Sequence, residues 1–317
     1  MADNLVNLAV QIGNLKLKNP VMTSSGTAGY GDELSDYFNV TALGAVVTKS
    51  LTLKPKVGNA PPRIAEVNGG MLNSIGLANI GIQKFLHEKL PILVKLGATV
   101  VVNVAAKRME DYVTLAELLD DQEGVQGIEL NLSCPNVSEG GIEFGSNLKT
   151  LRRIVNQVRR VCKKTLIIKL TPNVTGIGEF ALAAENEGAD AVTIANTYIG
   201  MAVNIFTRKP KLHNVTGGLS GPSIKPMTLA KVFEARNAVR IPIVASGGII
   251  NWADAIEYIL AGATAVQLGT VLFTKPDSPL DVINGIRQYC TGMGIKSVSE
   301  LIGKVEADIS LIPHMKR

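Results

Sequence analysis

Ile128-Glu129-Leu130-Asn131-Leu132-Ser133-Cys134-Pro135-Asn136 is the stretch on which the reading of this chain turns. Its first residues form an apolar, strand-like run, short enough to be a parallel strand buried on both faces. The chain then leaves that strand with a thiol set between Ser133 and Pro135 and flanked by the carboxamides of Asn131 and Asn136. Cysteine can serve as nucleophile or proton acceptor, and asparagine offers a planar ligand both C=O and NH₂. Packing alone gives no reason to end a strand in that way.

The pattern recurs along the chain. Apolar or β-branched runs at 21–24, 45–48, 100–104, 128–132, 166–170, 191–195, 242–245 and 265–268 predict eight strands. Helical periodicity lies between them. Ser146 reads as the cap of a helix that carries Leu148, Leu151, Ile154, Val155, Val158, Val161 and Cys162 along one face. Asp277-Ser278-Pro279 opens another with a cap and a first-turn proline. Segments 9–12 and 15–17 flank Gly13-Asn14, a hairpin signal placed to floor a barrel. Eight strands alternating with helices predict an α/β fold, a (β/α)8 TIM barrel. With no repeats or linkers, residues 1–317 are expected to form a single domain, with long loops at 50–80, 134–147 and 197–225 over the C-terminal rim.

Composition agrees with a globular enzyme: 46% of the 317 residues are hydrophobic, 19% are charged and 31 are glycine. The net charge of +5, without basic runs interleaved with aromatics, argues against nucleic acid and suits a small anionic ligand or an acidic protein surface. Met1-Ala2-Asp3-Asn4-Leu5 lacks the features of a signal peptide, and no apolar run approaches the length of a membrane span. Three cysteines make no disulfide framework, so a cytoplasmic protein is expected. They are also too few, and wrongly spaced, for a four-thiolate iron–sulfur cluster, and no metal is expected.

In a barrel of this kind the active site lies at the C-terminal strand ends, and the chemically unusual residues fall there. Ser25 follows the first strand and Lys49 the second, Asn103 closes the third, and Asn131 and Cys134 end the fourth. Lys169 ends the fifth and Asn196-Thr197 the sixth, while Gly247-Gly248 and Gly269-Thr270 follow the seventh and eighth. The two glycine pairs are either simple turns or a phosphate site, and their matched placement after the last two strands favours the phosphate. Lysines at strand ends are costly to bury unless they meet negative charge, which a phosphate-bearing cofactor that becomes anionic in turnover would supply. His87 in an amphipathic helix, His213 in a loop and His314 in the tail all miss the rim. By elimination Cys134 is the best rim base, whereas Cys162 and Cys290 fall on apolar helix faces and read as core.

Asn131 through Asn136, Asn73-Ser74-Ile75-Gly76-Leu77-Ala78-Asn79 and Thr48-Lys49-Ser50 together resemble the class 1 dihydroorotate dehydrogenases, in the expected order and over nearly the whole chain. Gly58-Asn59-Ala60-Pro61-Pro62-Arg63, followed by Gly69-Gly70-Met71-Leu72-Asn73, is most like the class 1B, NAD-linked catalytic subunit. The resemblance implies oxidation of (S)-dihydroorotate to orotate in pyrimidine biosynthesis, with a proton to Cys134 and a hydride to N5 of FMN. It implies FMN contacts from Ser25, Lys49, Ser50, Asn103, Asn131, Lys169, Ala195, Gly221, Gly247, Gly248, Gly269 and Thr270. Lys49, Asn73, Ser74, Ile75, Gly76, Leu77, Asn131, Asn196 and Thr197 match the positions that hold the pyrimidine and its carboxylate. A cage of Asn and Thr suits a flat ring with amide-like donors and acceptors, and rejects analogues that lack them.

The membrane-associated class, which uses Ser in place of Cys134 and carries an N-terminal extension, fits less well. Further alternatives are a class 1A homodimer using fumarate, an FMN-dependent dihydropyrimidine dehydrogenase, and a non-catalytic barrel that leaves Cys134 unexplained. For class 1B the resemblance implies a homodimer joined by two subunits carrying FAD and a [2Fe-2S] cluster, a heterotetramer that passes electrons to NAD⁺. This chain has no GxGxxG fingerprint of its own after a strand. The three glycines in Ser138-Glu139-Gly140-Gly141-Ile142-Glu143-Phe144-Gly145 suggest a lid over the site.

Overall fold

A strand that is apolar on both faces must be covered on both, and the eight runs meet that demand by pairing around a common axis. The computed structural model describes residues 6–132, 138–139 and 142–308. It shows eight parallel strands: β1 (Val21–Thr23), β2 (Val46–Val47), β3 (Val100–Val104), β4 (Gly127–Asn131), β5 (Thr165–Lys169), β6 (Ala191–Ile194), β7 (Ile243–Ser246) and β8 (Ala265–Leu268). Every described residue of these strands is buried. Their lateral order is β1-β8-β7-β6-β5-β4-β3-β2, each hydrogen-bonded to the next. The expected strands are all present, with no end moved by more than one residue.

The ring closes between β1 and β2, its thinnest seam. There the backbone supplies one parallel bridge, Met22 with Ala45. A side chain makes up the deficit: Thr23 Oγ1 accepts from Val47 N at 2.8 Å and donates to Val47 O at 3.0 Å. The bottom is floored as anticipated by a hairpin, Val10–Ile12 paired with Leu15–Leu17. Its turn glycine, Gly13, has φ +55°, and a Cβ there would stand 2.7 Å from Asp190 Cβ and 3.2 Å from Thr165 Cγ2. The hairpin turn therefore packs directly under β5 and the segment entering β6.

Helices Met109–Asp120, Leu148–Val161, Ile177–Asn186, Lys225–Ala238, Trp252–Ala261 and Ser278–Gly292 surround the strands. One helix start differs from expectation, and a second is where it was expected. Asn147, not Ser146, caps Leu148–Val161: its side chain accepts from Thr150 N at 3.0 Å, while Ser146 belongs to the preceding short 3-10 turn Phe144–Ser146. A carboxamide one residue closer to the helix outcompetes the hydroxyl. Asp277 does sit at the cap of Ser278–Gly292 with proline in the first turn, but its side chain makes no capping bond.

The loops after β2 and β6 hold an element that periodicity did not suggest. Tyr198–Met201, Thr216–Ser220, Gly70–Asn73 and Ile64–Val67 form a four-stranded antiparallel sheet in that order. Two of its strands are glycine-rich, which hides them from propensity. Close backbone approach explains the glycines: a Cβ at Gly217 would lie 2.5 Å from Asn73 O.

Replacing Thr23 by valine keeps the volume but strands the N–H and C=O of Val47 in the core. Thr23→Val should lower unfolding free energy by about 2–5 kcal/mol, read from urea titrations. A loss below ~1 kcal/mol would show that the backbone seam needs no help.

Candidate active site

The uppermost interior of the barrel is polar, and it sets the floor of the site. Glu129, on β4, is 0% exposed. Its Oε1 accepts from Asn103 Nδ2 at 2.6 Å, and its Oε2 from Thr193 Oγ1 at 2.6 Å and Gln267 Nε2 at 2.7 Å. Lys169, at the end of β5 and 2% exposed, lies 3.9 Å from Oε1. Its ammonium donates to Gln267 Oε1 at 3.1 Å and reaches Ser24 and Ser25 Oγ, each at 3.4 Å. Burial pushes the lysine below its ordinary proton affinity, and the Glu129 charge pulls it back up.

From this floor the proposed cofactor residues spread along one side of the rim. Ser24 Oγ meets Ser246 Oγ at 3.2 Å, which joins the end of β1 to the residue before Gly247. A Cβ on Gly269 would stand 3.3 Å from Ser24 Cβ. Thr270 Oγ1 donates to Ser220 Oγ at 2.8 Å, next to Gly221, and a Cβ on Gly248 would lie 3.0 Å from Gly221 O. Gly221 and Gly248 have φ of +104° and +70°, so glycine is required at both. Ser25, Lys169, Gly221, Gly247, Gly248, Gly269 and Thr270 are thus neighbours in space as well as strand-end residues. Ala195, on the far side of β6, is anchored by its N–H to Ser246 O at 3.0 Å.

The carboxamide cluster forms a second group. Asn131 Nδ2 donates to Ser50 Oγ at 3.3 Å, and Asn196 Nδ2 donates to Asn131 Oδ1 at 3.3 Å. Asn196 Oδ1 accepts from Thr197 N at 2.8 Å. Asn73 arrives from the inserted sheet and donates to Gly218 O at 3.3 Å, where a Cβ would collide with Thr197 Oγ1. Ser74 through Leu77 form an irregular segment held by Asn59, which donates to Ser74 O at 2.8 Å through Nδ2 and to Ile75 O at 3.0 Å through its backbone N–H. Leu77 has φ +59°, a conformation that costs a non-glycine residue about 1 kcal/mol or more and persists because neighbours impose it. Lys49 is half-buried at the foot of this insertion. Burial lowers its proton affinity, and the nearby positive charge of Arg63 lowers it further.

Two buried atoms have no protein partner here, Asn103 Oδ1 and Ser74 Oγ. An unpaired buried acceptor is costly, so both are suited to a bound polar ring that brings its own donors and acceptors. With the Lys169 ammonium and the glycine turns beside Gly221 and Gly248, the residues fit a flavin that carries a phosphate.

Cys134 lies outside the described residues, as do Gly140, Gly141 and His314. Cys134 follows Leu132, the last described residue after β4, by two positions. Segments Ser138–Glu139 and Ile142–Glu143 of the glycine-rich loop pair antiparallel. Cys162 and Cys290 are buried free thiols, and burial pushes the Cys162 thiol up to about 11. Sequence reading assigned no site role to Asn59 and Arg63, which stand in a stretch that carries the resemblance, nor to Gln267 and Glu129. For the last two a signal existed, a long polar side chain inside an otherwise apolar strand. Asn59 and Arg63 act from an irregular loop, where no period marks them.

A family model described as dihydroorotate dehydrogenase matches residues 7–290. A Thermoanaerobacter protein named dihydroorotate dehydrogenase B (NAD(+)), catalytic subunit, is 50% identical over 303 residues, covering 96% of this chain and 100% of that protein. Proteins of the same name from Geotalea daltonii and Bacteroides fragilis are 49% and 46% identical, each covering 95% of this chain and 98% and 100% of their own.

Alkylation of the native protein near neutral pH should leave Cys162 and Cys290 unmodified, because neither thiol is exposed or inclined to ionise. Peptide mass spectrometry would test this: both should label only after unfolding, and modification of either in the folded chain would contradict their burial.

Proposed function

The chain belongs to the dihydroorotate dehydrogenase family, and from that premise we propose that it oxidises (S)-dihydroorotate to orotate in pyrimidine biosynthesis, as the catalytic subunit of an NAD(+)-linked enzyme with FMN as its flavin. The observation that carries the substrate reading is the carboxamide cluster. Asn73, Asn131, Asn196 and Thr197 come from three separate parts of the chain and meet through direct bonds and through Gly218. A flat ring edged with amide-like groups can be matched there bond for bond, and its carboxylate can be met by Lys49. Lys49 also distinguishes this substrate from an uncharged pyrimidine.

FMN, when bound, supplies the acceptor for the electron pair that leaves the substrate. The chain's own residues supply the rest. Asn73, Ser74, Asn131, Asn196 and Thr197 would orient the ring for loss of its proton and its electron pair. Cys134 takes the proton from C5 of dihydroorotate. Lys169, buried at the end of β5, would as an ammonium stabilise negative charge on the flavin, with little water to screen it. Ser25, Gly221, Gly247, Gly248, Gly269 and Thr270 hold the phosphate-bearing part of the cofactor through hydroxyls and backbone N–H groups.

Relatives named as catalytic subunits imply a separate partner subunit. We read that partner as the carrier of FAD and a [2Fe-2S] cluster, two copies of which join a homodimer of this chain into a heterotetramer. Among the described residues no group of three or more His, Cys, Asp or Glu could hold a metal, and no helix is long and apolar enough to cross a membrane. The buried unpaired thiols are in keeping with a reducing cytoplasm. A fumarate-linked homodimer is less well supported, since the relatives cited above carry the NAD(+) name.

The purified chain should be yellow, with a flavin spectrum that dihydroorotate bleaches. Alone it should reduce artificial dyes and leave NAD⁺ untouched. Rapid NAD⁺ reduction by the single subunit would refute the partner reading, and rapid fumarate reduction would move the protein to the other class. Cys134→Ser should keep FMN and orotate binding but lose turnover by about 10²–10⁴ near neutral pH, because a serine hydroxyl is a far weaker acid and cannot exchange the proton at that pH. Full turnover in that variant would remove Cys134 from the mechanism.

A further inference from the structure

Glu129 matches none of the expected ligand positions, yet it bonds to the side chains around which the flavin reading is built. Its carboxylate receives donors from Asn103, Thr193 and Gln267 and faces no acceptor among them, which is the environment of an anion. The other partners of Lys169, namely Ser24, Ser25 and Gln267, are neutral. Among the described residues Glu129 is the charged group that faces the lysine. The two charges stand 3.9 Å apart, and the Gln267 amide spans them, its oxygen on the ammonium and its nitrogen on the carboxylate. Asn103 is oriented by the same anion. Its nitrogen is spent on Glu129, which leaves Oδ1 as the buried acceptor without a protein partner.

We propose that Glu129 is a positioning residue of the flavin site, the counter-ion that keeps Lys169 an ammonium and fixes the amides of Asn103 and Gln267 each in one orientation. The proposal rests on the reading of Lys169 as a flavin contact. Its physical basis is the cost of an unpaired buried charge. A lysine enclosed to this degree gives up its proton when its counter-ion is removed, and lysines buried in that way titrate several units below the usual range. An uncharged residue at position 129 would therefore cost the site its positive charge without touching Lys169. A glutamate that merely fills the barrel would have no such effect.

Three variants of the full chain, loaded with FMN, separate these cases: Glu129→Gln, Lys169→Met, and the two combined. The readout is the midpoint potential of the bound FMN at mildly alkaline pH, with the FMN dissociation constant alongside. Lys169→Met should shift the potential negative, because the reduced flavin loses the ammonium that stabilises its charge. Glu129→Gln should shift it in the same direction, and the double variant should match Lys169→Met rather than add to it. A positive shift or no shift in Glu129→Gln would mean that the lysine stays charged unaided, and would overturn the proposal, as would additive shifts. An unchanged potential in Lys169→Met would instead remove the flavin contact on which the proposal rests. If Glu129→Gln fails to fold while the double variant folds, the charges depend on each other as proposed. If neither folds, Glu129 belongs to the architecture of the barrel and the proposal is wrong.

Discussion

An interior enclosed by eight short strands has to be filled by side chains, and each polar atom placed there must find its partner inside the ring. That constraint organises this protein. Lower in the barrel it is met by Val, Ile, Leu and Ala, which ask only for volume. In the upper interior it is met by Asn103, Glu129, Lys169, Thr193 and Gln267, drawn from β3, β4, β5, β6 and β8. These five form a closed hydrogen-bonded set with an anion at the centre and a cation beside it. A partly satisfied network would be worse than an apolar one, so each member constrains the rest. The atom left over, Asn103 Oδ1, belongs to the same set.

Above that floor the work is divided between two kinds of support. The cofactor side rests on strand ends and tight glycine turns, where Gly221 and Gly248 bring two backbones together. The substrate side depends on a sheet that the barrel does not itself provide. Gly70–Asn73 and Thr216–Ser220 pair across insertions from two different loops, so Asn73 and Thr197 are neighbours because of a register between segments far apart in sequence. Strain is tolerated there as well. The irregular segment through Leu77 is held by Asn59 and by Asn79, whose Nδ2 donates to Leu77 O at 2.8 Å.

The charges around the site follow the same division. Lys169 is buried against a carboxylate, and its proton affinity is pressed down by burial and raised again by Glu129. Lys49 is half-buried beside another cation, Arg63, and burial and repulsion both press it toward neutrality. A carboxylate ligand would relieve that repulsion, which is the electrostatic ground for the proposed substrate contact at Lys49. The two lysines looked equivalent as strand-end residues, and their surroundings make them different instruments.

The sequence by itself determined the barrel, because strands buried on both faces leave continuous apolar runs that local reading detects. All eight runs agree with the strands to within one residue at each end, and the short β2 alone loses a residue at both. The strand ends also pointed to the candidate site, since Lys49, Asn103, Asn131, Lys169 and the paired glycines interrupt apolar patterns at matching places. Helix starts were less readable, because Ser146 and Asn147 are both competent caps and only the backbone path chose the second. The tertiary structure decided what no local period encodes: the four-stranded sheet over the rim, the meeting of Asn73 with Thr197, and the pairing of Lys169 with Glu129. Each is a contact between segments distant in the chain, where pairing energy and not propensity selects the partner. A glutamate within Ile128-Glu129-Leu130 reads as a blemish in a strand until the ring closes and places a lysine beside it.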